Sequence, residues 1–335
     1  MQCSIDFRWL PVFLWLSLWP GQTAHAQIQL PKGWQLEAGV TFHASGYSGD
    51  IGHKGQYGVF SDTQWHLIRF GAGATLRGQQ RGKRVGWNLD LRSIRIQGAD
   101  SASNNAVAFV RNLHFRNEMV EIAATADYPL IRFSGHLGSS TLSHHVRAEA
   151  GVALLHHAPK AQVDVHNLSY EILSELGLNS PGLWHDLRSL ETEGTGYAKW
   201  ILTVPVGLSY TLSVDAGKGK PWHLTLTGLW RFTQTDRLDD IATQYADPWK
   251  MSPLGLALSS QANPNDLPPC AENLNISTFQ YQQNLPSERQ AIRGNPNTRD
   301  AYWTMGLTLA KSLTAGSPSV FHKKRFRGQK VVNKR

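Results

Sequence analysis

Three carboxylates crowd the end of one short stretch, WRFTQTDRLDD at residues 230–240: Asp236, Asp239 and Asp240. Hard oxygen donors at that density suit Ca²⁺, and Asp247 would complete a four-carboxylate set. The spacing is not that of an EF-hand loop, so the competing reading has these side chains capping a turn by accepting backbone N–H groups. The other residues with chemical reach are histidines. His144-His145 and His156-His157 are adjacent pairs, and Ser139 and Ser140 precede the first. Neighbours on a regular strand point to opposite faces, so neither pair can chelate one metal there. They read as surface or rim histidines. Spacing singles out no Ser/His/acid set, and no H-E-x-x-H, Walker or EF-hand motif appears. The expectation is no catalytic residue and no cofactor, with the aspartates an architectural cluster or a weak Ca²⁺ site.

Strands must position these residues. Period-two alternation marks a strand with two different faces. Trp222, Leu224, Leu226, Trp230 and Phe232 share one face, against His223, Thr225, Thr227, Arg231 and Thr233. Residues 197–213 behave the same way, and so do 34–43, 64–78, 85–97, 118–130, 146–156 and 301–312. In 85–97 the apolar phase slips at Ile94 and Ile96, which predicts a bulge near Ser93.

Long apolar strands, polar on the other face and with Trp or Tyr near their ends, suit a membrane β-barrel. A soluble sandwich or lipocalin-like barrel buries its apolar face instead. Links support the first reading. QQRGKR and DAGKGK are short turns, whereas the connections after strands one, three, five and seven run to roughly 20, 20, 40 and 65 residues, the asymmetry of outer-membrane barrels. The link at 131–145 is intermediate. The predicted fold is all-β: an eight-stranded antiparallel transmembrane β-barrel with long external loops, surrounded by outer-membrane lipid.

Residues 1–26 have the n-region, apolar run and Ala24-His25-Ala26 cleavage site of a signal peptide, which implies export. The barrel is expected over 27–313, and 314–335 form a basic, disordered periplasmic tail. Lys323, Lys324, Arg325, Arg327, Lys330, Lys334 and Arg335 account for all but one of the net charge of +8. With the charge confined to the tail of an exported chain, nucleic acid is not an expected partner; an acidic periplasmic protein is the alternative to a purely solubilising role. Removal of Cys3 with the signal leaves Cys270 alone, so no disulfide is expected within the mature chain. Inward positions carry acids (Glu37, Asp90, Glu121, Asp127, Glu149) and bases (Arg69, Arg77, Arg92, Arg147, Lys199, Arg231) in near balance. Balance favours mutual pairing and a polar plug over a conduit, which would show one dominant sign.

Five loop segments, in order, resemble the PorG-type outer-membrane barrels of the type IX secretion machinery of Bacteroidetes. Tyr47-Ser48-Gly49-Asp50-Ile51-Gly52 is similar to the family's Y-x-GDI-G, and Arg111 opens an R-x-LxF stretch. WHDLRSLETEGTG, with Trp184, Glu193 and Gly194, resembles its W-x-x-L-x-x-L-x-TEG-x-G segment. RFTQTDRLDDIATQY, with Asp236, Leu238, Asp239 and Asp240, has Arg237 where an aromatic is usual. Arg293-Gly294-Asn295-Pro296-Asn297, with Asp300 and Tyr302, leads into the last strand. The resemblance implies a non-catalytic component that anchors the periplasmic ring of that machinery to the outer membrane. The basic tail is not part of the family's pattern. Two other duties stay open, a lipid-modifying barrel enzyme and a surface adhesin built on the external loops.

Overall fold

A computed structural model describes residues 33–52, 63–103, 108, 111–137, 140–163, 182–215, 220–247, 250–259, 261, 293–295 and 298–314. The expected signal peptide, Ser139, Cys270 and nearly all of the basic tail lie outside them. The strands are β1 (Trp34–Ser48), β2 (Arg69–Gln80), β3 (Gly86–Ala99), β4 (His114–Leu137), β5 (Ser140–His156), β6 (Pro159–Gln162), β7 (Trp184–Asp186), β8 (Trp200–Asp215), β9 (Trp222–Thr233) and β10 (Ala301–Ser312). A short α-helix, α1, spans Pro253–Ser259, and 3-10 turns lie at Trp65–Leu67, Asp100–Ala102 and Leu187–Leu190. No helix of the described residues is long and apolar enough to cross a membrane.

Eight strands form a closed antiparallel ring, β1-β2-β3-β4-β5-β8-β9-β10, which β10 closes against β1. The predicted barrel is thus present with every expected strand. The small strands β6 and β7 extend β4 outward at the long-loop end, where Arg116 faces Lys160.

The faces are inverted relative to a water-soluble barrel. Val40, Phe42, Leu91, Val152, Leu208 and Leu307 point outward and are about half exposed or more. Asp90, Arg92, Glu121, Asp127, Arg147 and Arg231 point inward and are buried. Soluble monomers rarely expose a contiguous apolar patch beyond a few hundred Å², and this band runs round the ring. Trp34 and Trp87 (ring centroids 6.3 Å apart) and Trp222 mark its short-turn edge; Trp200 and Trp65 lie at the other.

Inside, charges pair in layers. Near the short turns Arg77 reaches Glu37 (3.2 Å) and Asp127 (2.9 Å), and Arg147 lies 3.4 Å from Asp127. Arg92 meets Asp90 at 3.2 Å. Higher up, Arg231 grips Glu121 through Nε (2.6 Å) and Nη2 (2.9 Å), with both side chains fully buried, and Tyr302 Oη donates to the same carboxylate at 2.7 Å. Lys199 does not join them. It precedes β8 and is exposed, because the barrel strand begins only at Trp200.

Two more expectations need correction. No bulge forms near Ser93: β3 keeps an unbroken register with β4 from Gly86↔Asp127 to Ala99↔His114, and its ladder with β2 runs without a shift up to its end at Ala72↔Ser93. Ile94 and Ile96 change phase because they face inward, into an apolar plug with Phe115, Met119 and Leu155 at the long-loop mouth. The irregularity lies instead between Pro129 and Ile131, where β4 slips against β5. The intermediate link at 131–145 is mostly strand. Ile131 to Leu137 pairs with Ser140 to Val146 as a hairpin prolonging β4 and β5 at the short-turn end of the ring. Residues 130–137 of β4 are exposed on both faces, and a strand wet on both sides has no reason to alternate.

Candidate functional site

The four long connections leave the ring at the same end, and their motif residues converge over the mouth. The convergence begins with the 238–241 segment. Leu238 and Ile241, both fully buried, join Ile94, Ile96, Phe115, Met119 and Leu155, and Asn117 Nδ2 holds the Leu238 carbonyl at 2.8 Å. The stretch that looked like a metal cluster is a stopper whose apolar residues sit in the barrel end.

Its carboxylates are turned to protein donors. Asp239 accepts from the backbone N–H groups of Ile51 (3.1 Å) and Ile241 (2.9 Å). Tyr47 Oη lies 2.6 Å from Asp239 and 2.7 Å from Asp300. A phenol has one proton, so it donates to one carboxylate and accepts a carboxyl proton from the other. Burial and the charge of Asp50 push the Asp239 carboxyl up to about 7. Burial with Asp239 and Asp236 as neighbours holds Asp300 well above the usual carboxylate range. Asp236 rises to about 8, first from burial and then from Asp50, Asp239 and Glu193.

Asp240 faces another way. It accepts from the hydroxyls of Thr192 and Tyr197, the latter at 2.7 Å, and lies 3.6 Å from Arg293. Burial still raises its carboxyl, with the Arg293 charge opposing. Its backbone φ of 72° lies in the left-handed region, which Asp tolerates better than most residues.

Two arginines bind the loops together. Arg111 holds Asp100 with Nε (2.7 Å) and Nη2 (3.0 Å), and donates to the carbonyls of Arg293 (2.7 Å) and Asp50 (2.9 Å). One guanidinium therefore ties three connections. Asp100, fully buried, also accepts from the N–H groups of Gly52 and Leu113. Arg293 donates to the Asp240 carbonyl (2.6 Å), Thr192 (3.1 Å) and Glu193 (3.4 Å). Glu193 in turn accepts from the backbone of Ala242 and Thr243. Asp50 accepts from the Asn295 N–H at 2.7 Å.

Close approach explains two motif glycines. A Cβ on Gly49 would overlap Asp300 and the Tyr47 ring; one on Gly294 would sit 2.6 Å from both Asp50 and Ile241. Gly194 turns with a φ of 71°. Trp184 serves elsewhere, on β7, under the Arg116 guanidinium at 4.0 Å. Pro296 and Asn297 lie outside the described residues. The proposed Ca²⁺ set is not assembled: Asp239 and Asp240 take separate protein donors, and Asp247 is 3.8 Å from Lys250. Among the described residues no group of three or more His, Cys, Asp or Glu is placed to hold a metal.

The histidine pairs divide as expected for strands. His144 faces outward, stacked on Phe133 at 4.4 Å and hydrogen-bonded to Tyr210 Oη, while His145 shares the inner side with Arg147. His157 is not a surface residue. It is fully buried, stacked on Tyr197, with Nε2 2.9 Å from the Ala198 carbonyl. Sequence reasoning missed Asp100, Thr192 and Tyr197, whose types carry no signal until their partners arrive from other loops. Chemically, the arrangement locks four connections over the mouth and stores a proton between Tyr47, Asp239 and Asp300. No family model matches the chain, and no curated protein matches it significantly.

Proposed function

We propose that the chain is a non-catalytic outer-membrane barrel of the type IX secretion machinery, anchoring its periplasmic ring to the membrane. One observation carries this reading. The loop motifs that resemble the PorG-type family meet in one locked cap: Tyr47, Asp50, Arg111, Glu193, Asp239, Asp240 and Arg293 bind one another's connections. Residues scattered over five motifs then share one structural reason to occur together. The apolar outer band supports a membrane-spanning barrel, since only closed sheets and helices satisfy the backbone in lipid. The paired interior and plugged mouth suit a scaffold better than a channel. By the short-loop rule, the short turns, the start of β1 and the end of β10 would face the periplasm, where ring proteins are.

The test is the extracellular proteome of a deletion strain. Loss of exported proteins bearing the C-terminal sorting domain, with their precursors retained in the periplasm, is the expected result. An unchanged secretome would refute the secretion role.

A further inference from the structure

The prolonged hairpin leaves one strand edge open. β3 pairs with β4 only as far as Gly86↔Asp127, whereas β5 accompanies β4 to Leu137↔Ser140 and β8 backs β5 to Thr141↔Asp215. Among the described residues, no strand pairs with the β3-facing side of residues 128–134. Beyond Asp127, β4 runs ten further residues, about 30 Å at the usual rise per residue.

An open edge has a definite place relative to a bilayer. Hydrocarbon offers nothing to bare N–H and C=O groups, so this part of β4 stands outside it. Its outward stripe is nevertheless apolar: Ile131 and Phe133 are each 56% exposed and Leu137 is 70% exposed. An edge of this kind, in water and flanked by large apolar side chains, is a template for strand addition.

Charge selects the occupant. The β2–β3 turn adjoins the open edge and carries Arg81, Lys83 and Arg84, all exposed. Arg84 Nη1 donates to Tyr128 Oη at 3.3 Å, which fixes the turn against the start of the edge. Any strand laid where β3 has stopped meets this cationic turn with one end. A second copy, paired antiparallel about Arg132, would set that guanidinium against its equivalent, and directly opposed like charges destabilise a strand pair. The chain's own C-terminal segment brings seven further cations.

We propose that the open edge of β4 docks an extended segment of another protein, as an added strand with carboxylates at the end that meets Arg81, Lys83 and Arg84. Backbone hydrogen bonds supply the pairing, and alternate side chains of the guest cover Ile131 and Phe133. The carboxylates fix direction and register. This rests on the barrel spanning a membrane and not on the secretion role, so an altered secretome and a docked strand are separate outcomes.

The test is photocrosslinking in intact cells with benzoylphenylalanine in place of Ile131, Phe133 or, on the apolar band, Val152. Adducts are digested and sequenced by mass spectrometry. The expected result is one protein adduct at 131 and 133 but not at 152, through an acid-ended segment. It should fall at least tenfold when Arg81, Lys83 and Arg84 are all changed to Glu in a full-length chain that still folds by heat-modifiability on gels. An adduct with a second copy of this chain, lipid adducts alone, or an adduct indifferent to the charge reversal would each overturn the proposal. A synthetic strand peptide ending in Asp-Glu gives a second readout on the purified full chain in detergent. It should bind at least tenfold tighter than its Lys-Lys counterpart, and equal binding would count against the inference.

Discussion

Replacing Arg111 with Leu should open the cap and leave the barrel standing. The guanidinium makes two bonds to Asp100 and one each to the carbonyls of Arg293 and Asp50. Without it, the fully buried Asp100 carboxylate keeps, among the described residues, the N–H groups of Gly52 and Leu113. Removing one partner of a buried ion pair costs about 3–5 kcal/mol, because the other charge stays behind unpaired. At about 1.4 kcal/mol per tenfold, opening of the cap should rise about a hundredfold to several thousandfold. Hydrogen exchange on the purified protein in detergent reads this directly. Amides of Ile51, Gly52, Leu113 and Leu238 should lose protection, while those of β1, β9 and β10 inside the band keep theirs, since their ladders do not involve the cap. Replacing Asp100 with Leu as well should recover much of the loss, because removing both partners leaves no stranded charge. Unchanged protection in the single variant would refute the role given to Arg111. Equal loss over cap and barrel strands would refute their independence.

Three other outcomes follow from the geometry. The Asp239 carboxyl, raised by burial from 3.8 to about 7, binds a proton in the closed cap that it sheds when exposed. The cap's stability is therefore greatest at low pH and falls as pH rises through that window; cleavage of the cap loops by an added protease, corrected for the protease's own pH profile, should be faster at pH 8 than at pH 5. Asp300→Asn, whose amide can donate to Tyr47 Oη and still accept from the Leu238 N–H, should flatten that profile, and a profile as steep as before would exclude the shared proton. Changing Arg231 to Leu strands Glu121 inside the barrel and should lower the thermal midpoint by the equivalent of about 3–5 kcal/mol, with partial recovery when Glu121 is also made Leu; a midpoint within error of the parent would remove this pair from the barrel's supports. Deleting residues 315–335 should weaken co-purification with acidic periplasmic partners in a salt-sensitive way, and recovery indifferent to both deletion and salt would leave the tail a solubilising one.

The strands were legible where their two faces meet different media. Leu224 beside Thr225, or Leu91 beside Arg92, reports lipid-like surroundings on one side and a polar interior on the other. Where the media agree, the signal vanishes, as in residues 130–137. Where the interior changes, the same signal misleads: Ile94 and Ile96 looked like a slipped strand because the mouth of the barrel is apolar and its middle is charged. The cap was half legible. The turn-capping role of Asp239 follows from residue type and local position. Its embrace by Tyr47 and Ile51, and the grip of Arg111 on Asp100, Asp50 and Arg293, join residues that have no local relation. Only the ring brings their connections to one place.

That ring also sets an order of events. The cap's last members, Asn295 and Asp300, lie in the connection preceding β10; their partners are Asp50, just after the end of β1, and Tyr47, among the last paired residues of that strand. The same two strands form the seam that closes the cylinder. Pairings between the first and last parts of a chain wait on everything between, and contacts so distant in sequence form slowly. The lock can engage only after the final strand has found the first. A sealed mouth is thus a mark of completed assembly, and a chain stalled before β10 would show whatever inspects the membrane an unfinished rim.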